Sequence, residues 1–596
     1  MTPPPALTTR DPSAQACEAC DLLVIGSGAG GLSAAVTAAH LGLKVAVLDK
    51  HGRLGGTTAW SGGWMWIPRN PLARAAGIDE DPAEPRRYLQ SILGDRYDAA
   101  RIDSFLAHGP AMLQFHLDHT ALRFVDGNAV PDFHGRQPGA RTGGRSVCAA
   151  PYDGRALGVG PLRRLRDPLD LTTFVGMSIG ADLRHFMRAS RHLEAFRYVA
   201  GRLWRHGVDL LRFGTGTLRM GGNALAAALL KSADDLGVRC LTGHAAERLI
   251  VEDGRVVGAW VRTADGVRPW RAKAGVVLAA GGFPHDPARQ AQWFGHADHH
   301  SAAPPENTGD GLRLGEAAGA ALSVGAAAGA WAPVSLVPRA GGRVTAFPHL
   351  VERGKPGLIA VDADGERFVD EAGDYHSFMR ALFERCAQRR PGQPVQAWLL
   401  CDHRFQRRYG LGASRPFPLP LRPWLRGGYL RRAATLDALA RDCGIDPAGL
   451  QRTVTRLNAD AVRGEDTAFG RGSVPYERLQ GDPEHPGPNP CVAPIEHGPF
   501  YAVRIVPGSL GTFAGLAGDA HARVLDAQGR PIPGLYAAGN DLASVMAGHY
   551  PSGGITLGPA MTFGYVLAHH AAGRPLPMPM PMPASSNVPS HTDLAA

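Results

Sequence analysis

The chain has 596 residues, a net charge of +9, 44% hydrophobic and 20% charged residues. That is a globular balance, and the length suggests more than one domain. Basic residues are scattered rather than blocked, which argues against nucleic-acid binding. No run of about 18 apolar residues exists to span a bilayer. No charged n-region and apolar h-region open the chain, so a cytoplasmic location is expected, with peripheral membrane association left open. The eight cysteines lie far apart except Cys17 and Cys20. A lone C-x-x-C without a second ligand pair reads as part of a disordered N-terminus, 1–20. No metal site is expected.

Asp21–Ile25 is a short apolar run that reads as a buried parallel strand. A G-x-G-x-x-G follows, Gly26-Ser27-Gly28-Ala29-Gly30-Gly31, and then small apolar residues that read as a helix ended by Gly42. Lys44–Leu48 is the second strand, closed by Asp49 and Lys50. Gly26 permits the tight turn. Gly28, with Ala29 and Gly30 behind it, lets a pyrophosphate approach the positive end of the helix. Gly31 lets the helix pack on the strand. Asp49, 18 residues past Gly31, can accept from ribose hydroxyls. The unit predicts dinucleotide binding and leaves FAD and NAD open.

The stretch Gly55-Gly56-Thr57-Thr58-Ala59-Trp60-Ser61-Gly62-Gly63 is too rich in glycine to be core. It resembles the second phosphate and isoalloxazine contact loop of the fumarate reductase-like flavoproteins. With GGxWxP after it, from Gly62 to Pro68, it most resembles the 3-ketosteroid Δ1-dehydrogenases. The cofactor implied is FAD. Non-covalent attachment is expected, because the loop 55–63 contains no His or Cys.

Residues 149–212 are helix-prone and carry no legible motif; they read as an insertion or a lid. Met220–Leu225 opens a helix, and short strands are expected near 238–241 and 246–251. Glu252-Asp253-Gly254-Arg255 is a hairpin turn signal, with Val256–Arg262 pairing back. Gly275–Ala280, followed by Gly281 and Gly282, resembles the family strand that returns to the nucleotide-binding sheet. Asn307–Gly311, with Asp310, resembles a further flavin-domain loop. The stretch 539–557 contains Gly539, Asn540, Tyr550, Gly554, Ile555 and Leu557 and leads into a helical run. In the family it meets the flavin ring. Asp364-Gly365 signals a hairpin turn, and the loop from Glu371 to Tyr375 resembles the opening of the catalytic domain.

The resemblance implies an α/β protein. A discontinuous Rossmann-like FAD-binding domain (21–332 and 511–574) would carry an inserted α+β catalytic domain at 333–510. A disordered Pro-rich tail would run over 575–596.

Two tyrosines select the branch. Fumarate-type members place one arginine four residues after the acid of the RF-x-x-E segment, and a second in the C-terminal Gly-rich loop. Here those positions are Tyr375 and Tyr550. A pocket without those cations disfavours a carboxylate and suits a neutral carbonyl. The resemblance gives Tyr550 and the Gly554 N–H the ketone oxygen as an oxyanion hole. Tyr375 would take the α-proton, for which its phenol pKa near 10 must fall, and a hydride would pass to flavin N5. One departure stands out. The family has adjacent tyrosines, one assisting the base, where this chain has Pro131-Asp132-Phe133-His134 before Gly143-Gly144-Arg145. His134 is the candidate substitute. The favoured substrate is a hydrophobic ketone, a 3-ketosteroid, with an unspecified electron acceptor. The alternatives are a smaller oxocyclohexane-type ring ketone and a non-catalytic flavin-binding redox protein.

Overall fold

The computed structural model describes residues 17–577 other than 181, 297 and 390. The expected N-terminal tail up to 16 and the Pro-rich tail from 578 lie outside the described residues. The first strand, Glu18–Ile25, begins before Asp21, so Cys20 is buried within it rather than in a tail.

The apolar run at the front of the chain forms the centre of a parallel sheet. Glu18–Ile25 lies between Val45–Asp49 and the C-terminal half of Gly266–Leu278, parallel to both. Arg239–Thr242 extends the sheet beyond Val45–Asp49, and Pro531–Ala537 joins on the far side of Gly266–Leu278. Gly266–Leu278 is long enough to serve two partners. Its first half pairs antiparallel with Arg255–Thr263, which turns back at Asp253-Gly254 to pair with Ala245–Glu252. The hairpin signal and the returning strand thus stand where the sequence puts them. Asp253 and Gly254 take the positive φ values, 49° and 74°, that such a tight turn needs.

Two helices pack face to face against this sheet, Ala29–His40 and Leu557–Ala571. Their close approach requires glycine. A Cβ on Gly564 would stand 2.5 Å from the Gly30 carbonyl oxygen, and one on Gly31 would stand 2.2 Å from that of Gly26. The second unit is built on a sheet ordered Leu358–Val361, Ala397–Cys401, Phe500–Ile505, Arg431–Ala433. The amphipathic helices Leu436–Cys443 and Pro447–Arg463 bury Leu439, Leu450 and Leu457 against it. The Asp364-Gly365 turn is followed by a single bridge, Val361 to Arg367, instead of a full second strand. Strands from Glu18 to Leu278 and the late strand Pro531–Ala537 thus share one sheet. No described helix is long and apolar enough to cross a membrane.

Candidate active site

A cleft of about 640 Å³ opens at the C-terminal ends of the parallel strands, where ligands of open α/β sheets bind. One end is made largely of backbone. Gly26, Gly28, Ala29 and Gly30 line it, followed by Asp49 and Lys50, then Gly56, Thr57, Thr58, Ser61, Gly62 and Gly63. The glycines differ in what they allow. A Cβ on Gly26 would stand 2.0 Å from the Ala279 carbonyl oxygen, so that glycine serves the fold. A Cβ on Gly28 would meet only the Thr58 hydroxyl, at 3.6 Å, and one on Gly539 would meet nothing within 4 Å. Those two keep cleft space free, as the backbone approach of a pyrophosphate requires.

Side chains brace this backbone. The Thr58 hydroxyl accepts from the Ala29 N–H at 2.8 Å, and the Ser27 hydroxyl accepts from the Gly55 N–H at 2.8 Å. Ser27 also donates to Asp49 at 2.5 Å, and the Asp49 carboxylate accepts the His51 N–H at 2.9 Å. Lys50 pairs with Asp310, and Arg166 pairs with Glu306 at 3.1 Å. Ala280, Gly281, Asp310, Asn540 and Leu557 also line the cleft.

Gly31, Gly55, Gly282 and Ile555 do not line it. Gly31 packs the helix on its strand, as its motif position implies. Gly55 holds a left-handed φ of 111° at the head of the loop. The Gly282 N–H donates to Asp541 at 2.9 Å, and Ile555 is buried behind the wall. Asp541, which the sequence motifs did not single out, is completely buried. It accepts from the Ala280 N–H at 2.5 Å and the Gly282 N–H at 2.9 Å, tying two walls of the cleft together. Burial, opposed by these N–H donors, pushes its carboxyl up to about 6.

The other end is aromatic. Tyr375 is the first residue of the helix Tyr375–Arg389 rather than a loop residue. Its ring meets Tyr550 edge-on at a centroid distance of 4.8 Å. Phe133 lies 5.6 Å from Tyr375 and 5.8 Å from Tyr550, stacked on the latter. Tyr476 packs on Phe133 at 4.3 Å and completes the group. All four line the cleft. Tyr476 comes from a segment without a legible motif, PYERLQ, and only its neighbours in space reveal it.

Gly554 also lines this end and cannot be replaced. Its φ is 95°, and a Cβ would stand 2.7 Å from the Met65 backbone. Among the described residues its N–H finds no protein acceptor. Burial pushes Tyr550 up to about 12, and pushes Tyr375 well above the ordinary phenol value, with the neighbouring Tyr550 adding to the effect. The lowered pKa expected for Tyr375 is therefore not present in this structure. Both phenols are protonated donors at neutral pH.

His134 does not line the cleft; its neighbour Phe133 does. The Asp132–His134 segment holds the Tyr550 loop through backbone. The Phe133 N–H donates to the Pro551 carbonyl at 3.0 Å, and the Tyr88 hydroxyl donates to the same oxygen at 2.6 Å. The segment is itself anchored by buried Arg145, which bonds Asp132 at 2.5 Å and Glu80 at 2.7 Å. Trp66 donates to the remaining Asp132 oxygen at 2.9 Å. Among the described residues no cluster of His, Cys, Asp or Glu could hold a metal.

A family profile described as an FAD binding domain matches residues 21–557. The chain is 40% identical, over 92% of its length and 92% of the relative, to a 4-oxocyclohex-2-ene-1-carboxylate 5-dehydrogenase of Sinomonas cyclohexanicum. It is 36% identical, over 92% of its length and 96% of the relative, to a 3-oxosteroid 1-dehydrogenase of Mycolicibacterium smegmatis. Its fold superposes with a TM-score of 0.86 on a 3-ketosteroid Δ1-dehydrogenase from Sterolibacterium denitrificans in complex with 1,4-androstadiene-3,17-dione. That likeness covers 93% of this chain and 100% of the other at 35% identity.

Proposed function

From the chain's membership of the FAD binding domain family, matched over residues 21–557, we propose that it desaturates a ring C–C bond next to a ketone, with a 3-ketosteroid as substrate and the Δ1 bond as product. It is an FAD-dependent dehydrogenase of ring ketones. FAD supplies the two-electron acceptor. Gly28, Gly56 and Gly539 would leave room for its phosphates, and the N-terminus of the helix Leu557–Ala571 would face the ring.

The residues of the aromatic end divide the remaining work. Tyr550, protonated with its pKa near 12, suits a donor to the ketone oxygen, and the Gly554 N–H offers a second donor. Together they favour negative charge developing on that oxygen, which makes the neighbouring carbon acidic. Tyr375, held edge-on against Tyr550, would take the α-proton once ionised to the phenolate. Burial opposes its ionisation, so the step is expected to quicken toward alkaline pH. Tyr88, the Phe133 N–H and the Arg145 network hold the Tyr550 loop in place.

The observation that carries the steroid over a small ring acid is where the cations are. Among the described residues lining the cleft, the Lys and Arg side chains are Lys50 and Arg166, and each already pairs with an acid, Asp310 and Glu306. Val130, Pro348, Leu350, Val351, Leu479 and Leu510 supply apolar wall. A substrate carboxylate would be desolvated without a partner, whereas a fused apolar ring system would be buried favourably. The second reading, an oxocyclohexane carboxylate, is favoured by the 40% identity to the Sinomonas enzyme. Anaerobic mixing tests both. Bleaching of the yellow flavin by androst-4-ene-3,17-dione supports the first reading. Bleaching by 4-oxocyclohexanecarboxylate alone overturns it in favour of the second, and bleaching by neither overturns both.

A further inference from the structure

The helix Leu193–Phe213 is amphipathic with its faces reversed. Its buried face is polar: Arg202, His206 and Asp209 are each at most 8% exposed. Arg202 pairs with Asp182 and donates to the Ser178 carbonyl at 2.8 Å. Asp209 accepts from the Thr217 hydroxyl at 2.6 Å, and a His206 ring nitrogen lies 3.1 Å from the Val175 carbonyl oxygen. The outward face is apolar. Leu193 is 65% exposed, Phe196 57%, Trp204 78% and Leu211 90%. The spacing of these residues puts them on one side of the helix, with Ala200 and Gly207 between them. Val175, 72% exposed, lies on the loop whose carbonyl His206 meets. Large apolar side chains left in water along a continuous stripe mark an interaction surface.

We propose that this stripe docks the protein on an anionic lipid surface. Exposed Arg197 and Arg212 flank the stripe, whereas Arg188 and Arg191 before the helix are held by Glu484. Arg on the rim, Trp and Leu on the face and low overall hydrophobicity are the pattern of a helix lying in the headgroup region. The same charges disfavour a second copy as the occupant. Paired antiparallel about Trp204, two such helices would set Arg197 of one near Arg212 of the other, a like-charge contact only partly offset by exposed Glu194. Lipid headgroups carry the complementary sign.

The docked helix would sit beside the cleft. Asp182, which holds Arg202, also accepts the Gly180 N–H at 2.9 Å, and Ile179 and Gly180 line the cleft. A membrane-dissolved apolar ketone would thereby reach the site from lipid. That delivery role rests on the function proposed above; the docking does not.

The test uses the FAD-loaded full chain without substrate. Sedimentation with sucrose-loaded vesicles of phosphatidylcholine containing phosphatidylglycerol is expected to recover the protein, and less of it as salt is raised. The double variant Trp204→Glu, Leu211→Glu should bind at least tenfold more weakly, with unchanged flavin absorbance and melting temperature showing that it folds. Failure of the wild type to sediment overturns the proposal, as does undiminished binding by a folded double variant. If light scattering finds a wild-type dimer that the double variant converts to monomer, the stripe joins two copies instead and the lipid assignment is wrong.

Discussion

The two ends of the cleft are built by opposite means. At the nucleotide end the wall is backbone, shaped by glycines that lie within a few residues of each other and of the strand ends that hold them. At the aromatic end the wall is side chains, and Phe133, Tyr375, Tyr476 and Tyr550 come from four separate stretches of chain. The first end is a local conformation that a short motif specifies. The second exists only when the second unit closes against the nucleotide-binding unit. Changes at the first end should remove the cofactor, and changes at the second should remove turnover while the cofactor stays.

The largest effect tests the first half of that contrast. Gly28→Val should yield folded but colourless protein, because a side chain there meets no close backbone and fills cleft space instead. Flavin absorbance and melting temperature read together check this; a yellow, stable variant breaks the assignment. Gly26→Val, in contrast, should fail to fold stably, since its Cβ would overlap the Ala279 carbonyl.

Next comes Tyr375→Phe. Turnover should fall by about 10²–10⁴, the range for a lost general base. Exchange of the substrate α-hydrogen with deuterated water should fall alongside, with FAD content normal. Tyr550→Phe should cost about 10²–10³ in kcat, the range for one lost oxyanion donor. If it turns over ketones at the wild-type rate, the carbonyl is held elsewhere.

The pH dependence sharpens the comparison further. Tyr375 and Tyr550 are raised by burial, so the fold favours their neutral forms. The stability this gives is complete below the unfolded phenol value near 10 and is lost as pH rises toward the folded values. Thermal melts should show stability falling above about pH 10, less steeply in Tyr375→Phe. Over the same range the wild-type rate should still be climbing, and Tyr375→Phe should lack that limb. The smallest effect is expected from His134→Ala. His134 does not line the cleft, so kcat should stay at the wild-type value. A fall in both kcat and α-hydrogen exchange would restore His134 as the assisting group.

The nucleotide-binding half was legible in the sequence because its signals are short-range. Strand, glycine turn, helix and acid follow one another from Asp21 to Asp49, and each glycine answers a steric demand made by a near neighbour or by the ligand. The hairpin at Asp253-Gly254 and the returning strand 276–278 were readable for the same reason. The family resemblance also pointed to Tyr375, Tyr550 and Gly554, and all three line the cleft.

Tertiary structure alone decided who stands beside them. Tyr476 joins the group from a stretch with no motif, and Asp541 ties two walls together through backbone N–H groups that no pattern advertises. The Asp132–His134 segment looked like a source of a proton partner, yet it serves as a brace for the Pro551 carbonyl. It also took the fold to show the helix Leu193–Phe213 turned with its apolar stripe outward. Periodicity alone shows that a helix has two faces. Which face is buried depends on what the rest of the chain offers, and here Asp182, Ser178 and Thr217 offer polar partners to the polar side.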